Sequence, residues 1–486
     1  MLNRLLRHTV VYGIAGILSR GIAIILMPIY TRVLAPEDYG ALDLLTVFAT
    51  LANYIVAAEI TQGVARLYPE ARSETDKQQL ASTSLWFCAV AYALFALTAL
   101  VFSAPLTELL LGSDKWRRLF EVAVVAIASN GVFYLFQNLL RWQMQPRRYA
   151  IASLVYALVS AFAAVYLVVV AQSGVVGIFL GQIVGAISGV ACSWWYSRQS
   201  YRFMFAGKQL WKMLAFSLPL VPSSIAVYLA VYIDRITIKE FMTLDDVGIY
   251  GVGARIASVV TLLMMGIQGA LTPLVIQNHA SPSTPQELAR IFRYFFATAM
   301  PLLLFLGIFS RELVWLFATP GYYGAWSVIP VLALSTLISG MYIFAPGLFI
   351  LKKTWVFAVI NALAALANLG LNVLLIPRIG IMGAALATLI TAVAAFSSYM
   401  AFSQRLYPVP HDWLKIAAGC AISGIIVLAS LQANGAATIS IGGILLKAVV
   451  LLFAAAATAW VLLGREEISA LLSRRRQATA GDRGRT

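Results

Sequence analysis

Charge is scarce in this chain. Only 11% of its 486 residues are Asp, Glu, Lys or Arg, against 61% hydrophobic residues, and mean hydropathy is +0.85. A water-soluble globule of this length needs far more charged surface, so a soluble enzyme or binding module is excluded. Cysteine is almost missing. Cys88, Cys192 and Cys420 stand far apart in apolar stretches, which excludes a disulfide framework and a thiolate metal cluster. Histidine is as rare: His8, His279 and His411 are scattered in or near polar segments, so neither a metal site nor a resident cofactor is expected. A membrane glycosyltransferase or ligase needs an acidic catalytic pair in a sizeable outer loop. The acids are few and the loops short, so the chain is expected not to be an enzyme. Alternation of apolar and polar residues is lacking as well, which excludes a β-barrel.

What the sequence has in abundance is long apolar runs. A hydrocarbon core about 30 Å thick is crossed by roughly 20 residues of helix, and runs of that length recur along the whole chain. Fourteen are expected, over 9–29, 41–63, 81–103, 119–140, 150–171, 175–196, 213–233, 247–271, 291–310, 327–350, 355–376, 381–402, 414–432 and 442–463. The fold class is therefore all-α, a polytopic membrane protein of about 14 transmembrane helices. The first run follows Arg4 and Arg7 as a signal peptide would, but it is long, carries Arg20 at its middle and leads into PIYTR rather than a small-residue cleavage site; it is read as a span.

The net charge of +15 belongs to the loops. With both termini inside, Lys and Arg favour the inside segments by roughly three to one, as the positive-inside rule requires of an even span count. Lys115, Arg117 and Arg118 are the main exception. The tail with Arg474, Arg475, Arg476, Arg483 and Arg485 reads as a cytoplasmic anchor against anionic membrane lipids, and no nucleic-acid partner is expected.

The sequence repeats internally. QPRRYAIASLVYAL from Gln145 lines up with KKTWVFAVINALAA from Lys352, and EDYGALDLLTVFATL from Glu37 with VGIYGVGARIASVVTLL from Val247. Two parallel six-helix halves plus two C-terminal helices account for this: an N-terminal lobe at 1–197, a cytoplasmic linker at 198–212, a second lobe at 213–403, appended helices at 404–463 and a basic tail at 464–486. Parallel halves of this kind are a transporter architecture, with the substrate in the cleft between them.

PIYTRVLAPEDYGALDLL from Pro28, FSLPLVPSSIAVYLAVYIDRITI (216–238) and VGIYGVGARIASVV (247–260) resemble the signature segments of bacterial polysaccharide-biosynthesis flippases, in the multidrug, oligosaccharidyl-lipid and polysaccharide exporter superfamily. The resemblance covers nearly the whole chain. It implies a multi-pass protein of the bacterial inner membrane with both termini cytoplasmic. It also implies alternating-access transfer of a polyprenyl-diphosphate-linked oligosaccharide, an O-antigen (lipopolysaccharide), exopolysaccharide or capsule repeat unit, from the cytoplasmic to the periplasmic leaflet. A polysaccharide polymerase and other glycan-assembly proteins are the implied partners. A cation-coupled multidrug exporter of the same superfamily and a lipid II flippase are the alternatives.

Charges inside the spans point to the working parts, because a centred Arg or Asp costs about 2.5 to 3.5 kcal/mol on insertion scales. Arg20 and Arg255 lie in spans of opposite halves and are the candidates for holding the diphosphate, or else pack as ion pairs with Asp43 or Glu59. Asp43 and Glu59 are the candidates for proton or sodium coupling. Asp234-Arg235 closes span seven as an interfacial pair, and Lys447 snorkels from the last span. Asn130 with Gln137, and Asn361 with Asn368 and Asn372, fall at helical spacings that suit either hydrogen bonding to glycan hydroxyls or helix packing. Pro28 kinks the end of span one, Pro36 with Glu37 and Asp38 opens span two, Gly40 admits a neighbouring backbone, and Pro219 with Pro222 bends span seven.

Overall fold

In the computed structural model, residues 21–483 are described apart from 23, 279–280, 352 and 437–438. The described residues form helices and no strands. In chain order these are α1 (Ile24–Val33), α2 (Pro36–Val56), α3 (Ile60–Leu67), α4 (Glu74–Val101), α5 (Ser103–Leu111), α6 (Arg117–Trp142), α7 (Pro146–Val165), α8 (Val176–Ser197), α9 (Gly207–Ser217) and α10 (Val221–Phe241). There follow α11 (Leu244–Ala257), α12 (Val259–Asn278), α13 (Thr284–Ile308), α14 (Ser310–Phe317), α15 (Ile329–Gly340), α16 (Pro346–Ile350), α17 (Thr354–Ile379), α18 (Ile381–Leu406), α19 (Trp413–Ala436) and α20 (Ile441–Arg483).

Among the described residues, 11 helices are long and apolar enough to cross a membrane, or 12 if Pro320–Ser327 and Ile329–Phe344, bent by 51°, count as one span. The protein is thus a multi-pass membrane protein. Of the fourteen expected spans, the first lies largely outside the described residues, with α1 as its described part. The seventh is displaced. A 3-10 turn at Leu218–Leu220 follows α9, and α10 starts afresh at Val221 with Pro222 in its first turn, where a missing N–H costs nothing. The span is therefore interrupted rather than bent, and Asp234 and Arg235 sit well inside α10 instead of at its end. Span two is interrupted as well: α2 stops at Val56, and Ala58 and Glu59 take left-handed backbone conformations (φ 46° and 50°) before α3 begins. Such non-glycine residues cost of order 1–3 kcal/mol each.

The chain divides into two compact units, one running to Val252 and including Phe317–Tyr322, the other formed by Gly253–Leu316 and the chain from Tyr323 onward. In the first unit, Gly177, Gly181 and Gly185 make a stripe on α8 that lets α7 approach closely. A Cβ at Gly181 would lie 2.5 Å from the Ala164 backbone nitrogen. Lipid tails are as apolar as leucine, so helices in a bilayer associate through close van der Waals packing of this kind. The turn between α1 and α2 is tied down by Phe317–Tyr322: Thr31 donates to the Phe317 carbonyl (2.6 Å), Thr319 to Thr31 O (3.1 Å) and Tyr322 to Leu34 O (2.9 Å). As the acidic first turn suggests, the Ala35 N–H is capped by Asp38 (3.1 Å). Gly40 of α2 and Gly248 of α11 face each other, and a Cβ at Gly40 would stand 2.0 Å from the Leu244 carbonyl oxygen.

In the second unit, Leu304 and Ile308 of α13 pack with Ala454 of α20 and Val427 of α19. Gly383 of α18 lies against the Leu375 and Ile376 backbone of α17. Lys447 is paired with Glu312 of α14, and both side chains are mostly buried.

The positive-inside reading is tested by fusion. Reporters placed after Gly174 and after Asn434 are expected to read outside and one after Arg476 inside; an outside C-terminus would overturn the even span count.

Candidate functional site

The ionisable side chains of α2, α10 and α11 in the first unit converge. Asp43 of α2 is 7% exposed, and its Oδ2 accepts from Arg235 Nε of α10 at 2.6 Å. Arg235 Nη1 also donates to Asp234 Oδ1 (3.1 Å), and the Tyr250 hydroxyl of α11 donates to the other oxygen of Asp234. The guanidinium lies 4.8 Å from the Tyr232 ring centroid and 5.4 Å from that of Tyr250, so its faces meet aromatic electron density while its edge meets carboxylate. Two carboxylates thus share one guanidinium among the described residues.

Toward the start of α10 the cluster continues as a line of rings. Tyr232 and Tyr228 have centroids 4.4 Å apart, and Tyr228 stands edge-on to Tyr54 of α2 at 5.9 Å. Positions 228, 232 and 235 share one helix face by their spacing of four and three. Just beyond Tyr54, Glu59 sits at the left-handed break and accepts from Ser224 Oγ (2.7 Å). Asn53 accepts from the Tyr92 hydroxyl (2.6 Å). Carboxylates, hydroxyls and aromatic faces along one seam of a membrane protein are groups that can hydrogen-bond sugar hydroxyls and stack on sugar rings.

The residues singled out in the sequence are distributed as follows. Arg20 lies outside the described residues. Arg255 is half-buried on α11, in the second unit. Asp43 and Glu59 both belong to the seam, but the described partner of Asp43 is Arg235. The amides bond neighbouring helices: Asn130 donates to Gln182 of α8 (3.3 Å) and Gln137 to Ser153 of α7 (2.6 Å). In the second unit Asn361 accepts from Tyr399 (2.7 Å), while Asn368 donates to Thr391 (3.2 Å) and Asn372 to Asn368 (2.9 Å). Asn130, Gln137, Asn368 and Asn372 are buried and Asn361 is exposed, and the Asn372–Asn368 bond lies within α17; a buried amide takes the partner that packing offers.

The sequence reading took Asp234 and Arg235 for an interfacial pair and did not single out Tyr250 or the tyrosine line. Drawing span seven over 213–233 put Asp234 and Arg235 at its edge. Reading Pro222 as a helix start would have moved the span forward and exposed the Tyr228, Tyr232, Arg235 face.

The model of the polysaccharide biosynthesis protein family matches residues 5–279, more than half of the chain. The chain belongs to this family. The chain is similar to the succinoglycan biosynthesis transport protein ExoT of Rhizobium meliloti, 25% identical over 318 residues, covering 65% of this chain and 63% of ExoT. It is also similar to Lsg locus putative protein 1 of Haemophilus influenzae, 22% identical over 284 residues, covering 56% of this chain and 65% of that protein. The chain thus matches less than two thirds of either relative's length. Among solved structures, the lipid II flippase MurJ in an inward closed conformation superposes with a TM-score of 0.70 at 15% identity, covering 93% of this chain and 98% of that one. A multidrug resistance MATE family transporter of the MOP superfamily, inward-facing, gives 0.64 at 15% identity over 80% and 95% of the two chains. At these identities the likeness concerns the fold, which this family member shares with flippases and exporters.

Proposed function

We propose that this member of the polysaccharide biosynthesis family is a flippase that moves a polyprenyl-diphosphate-linked oligosaccharide across the inner membrane by alternating access. The observation that carries the reading is the seam of Glu59, Ser224, Tyr54, Tyr228, Tyr232 and the Asp43–Arg235–Asp234 cluster, polar and aromatic groups gathered along apolar helices. A glycan headgroup carries many hydroxyls and a diphosphate, and each unpaired polar group entering lipid costs several kcal/mol, so its passage needs a polar path through protein. The lipid tail can stay in the bilayer throughout.

In this reading Arg20 and Arg255 hold the diphosphate, because a guanidinium stays charged and its fork matches phosphate oxygens in pairs. Asp43, already neutralised by Arg235, would have to give up a guanidinium to bind an arriving ion. Glu59, with one hydroxyl donor and a strained backbone, is the better placed carboxylate for proton or sodium coupling. An exopolysaccharide or O-antigen repeat unit is the substrate class proposed.

The test is transfer of a polyprenyl-diphosphate-linked oligosaccharide into proteoliposomes. Arg255→Ala is expected to lower the rate at least roughly ten-fold with insertion and protein level unchanged, and Arg255→Lys to keep part of it. Normal transfer by well-folded Arg255→Ala would remove the residue from the site. Efflux of cationic dyes with no oligosaccharide transfer would favour the drug-exporter alternative.

A further inference from the structure

The first unit carries a groove between α4 and the segment leading into α9, with a volume of about 620 Å³. Trp86, Val90 and Leu94 form its α4 wall, and Phe203 and Phe205 the opposite one. Positions 86, 90 and 94 recur every four residues and share one face of α4, whereas Cys88 and Tyr92 of the same helix are buried in the core. The segment is fastened to α4. Gln78 Nε2 donates to the Gln199 carbonyl (3.0 Å), the Arg202 N–H to Ser82 Oγ (2.9 Å) and the Ala206 N–H to Thr83 Oγ1 (3.0 Å). Both walls of the groove are therefore held in place.

Its depth follows from the length of α4. The helix has 28 residues, about 42 Å at 1.5 Å each, against roughly 30 Å of hydrocarbon. The polar first turns, Glu74 to Gln78, extend past the apolar layer, which sets the fastened segment at headgroup level and Trp86 to Leu94 among the acyl chains. The rise from 86 to 94 is about 12 Å, most of one leaflet's hydrocarbon. Phe203 stands edge-on to Trp86 (centroids 5.2 Å apart) and is 94% exposed, so protein covers almost none of its apolar surface. Charge lies at the rim. Exposed Arg202 and Lys208 bracket the Phe203–Phe205 wall, and 198–212 holds four cations without one Asp or Glu. The two acids of α4 are engaged: Glu74 accepts from Lys77 (2.7 Å) and Asp76 from the Ser73 N–H (3.2 Å).

We propose that this groove holds an acyl chain of an anionic phospholipid whose headgroup phosphate meets Arg202 and Lys208. No ionisable or amide side chain lines the groove, so it suits hydrocarbon and offers nothing to a glycan. A transmembrane helix docks where small residues let backbones approach; here the walls are Trp, Phe, Val and Leu, which fit a thin flexible chain instead. The cations stand at the level where an anionic leaflet carries its phosphates, and long basic side chains reach that level while their stems lie along apolar surface. The site does not depend on the transport reading.

The experiment titrates lipid into the purified, delipidated full chain and counts bound molecules by native mass spectrometry. Phosphatidylglycerol and phosphatidylcholine with the same acyl chains are compared. Phosphatidylglycerol is expected to bind roughly ten-fold more tightly, and Arg202→Gln with Lys208→Gln to erase that preference. Arg147→Gln with Arg148→Gln, exposed residues at the start of α7, should preserve it. Val90→Trp fills the groove from an exposed position and should weaken both lipids. Equal binding of the two lipids by the parent, equal loss in both charge variants, or full-strength binding by Val90→Trp would overturn the proposal. So would retention of a polyprenyl phosphate in place of phosphatidylglycerol, or a dimer that Val90→Trp dissociates, which would give the groove to a second copy of the chain.

Discussion

Valine at position 40 is expected to disable the protein. A Cβ there would stand 2.0 Å from the Leu244 carbonyl oxygen and 3.1 Å from the Gly248 nitrogen, and a Cβ on Gly248 would stand 2.0 Å from the Pro36 carbonyl oxygen. These are backbone atoms of two helices and cannot rotate away as a side chain can, so α2 and α11 must separate where they cross. Overpacking of a well-filled core costs about 1–3 kcal/mol, and a clash between backbones belongs at or above the top of that range. Separation would also disturb Asp43, which lies one turn further along α2 with Gly251 against its carboxylate. Gly40→Val and Gly248→Val should therefore lower the thermal midpoint by several degrees and remove the transport proposed above, with Gly40→Ala intermediate. Gly207 has no heavy atom within 4 Å of a built Cβ, so Gly207→Ala is the control expected to change nothing. A wild-type midpoint for Gly40→Val would show that the two helices do not cross this closely.

The second large effect is expected at Arg235. Arg235→Met keeps an unbranched stem and removes the charge, stranding Asp43 and Asp234 as two buried carboxylates without the one cation paired with them among the described residues. Breaking a buried ion pair from one side costs about 3–5 kcal/mol, because the remaining charge is left uncompensated. The triple variant Asp43→Asn, Asp234→Asn, Arg235→Met removes all three charges together and should recover most of that loss. Arg235→Lys should fall between, since an ammonium retains the charge but cannot bridge two carboxylates with a fixed fork. Thermal midpoints of the four proteins in one detergent decide the matter. If Arg235→Met is as stable as the parent, the cluster is solvated and the charge argument fails. If the triple variant is stable but inactive, the charges serve transport rather than folding.

Much of the architecture was legible from composition and hydrophobic runs alone. That the chain is helical and crosses a membrane many times follows from a property of single residues, their transfer free energy, summed along short windows, and no partner need be known to compute it. The opening of α2 was legible for a similar reason. Pro36, Glu37 and Asp38 act on their own first turn, and the cap on the Ala35 N–H is closed within three residues. The freedom of Gly40 to admit a backbone was readable as a possibility of the residue type; which backbone came near it was not.

Pairing was decided only in three dimensions. Asp43 and Arg235 are 192 positions apart, and nothing local distinguishes that partnership from one with Arg20, Arg255 or Lys447. Lys447 shows the same limit: a long cation near a helix end can reach for the interface, but the fold places Glu312, 135 positions away, beside it. For the amides at 130, 137, 361, 368 and 372, spacing gives a helix face; whether that face meets another helix or an open path depends on what the rest of the chain puts there. The breaks at Ala58–Glu59 and at Leu218–Leu220 belong to the same class. Residue preferences oppose a left-handed alanine and glutamate, and only contacts made elsewhere can hold them there. The sequence by itself determined the solvent, the secondary structure and the local caps, because these are sums over neighbours in the chain. The tertiary structure decided which buried charge meets which, because that depends on contacts between segments far apart in sequence.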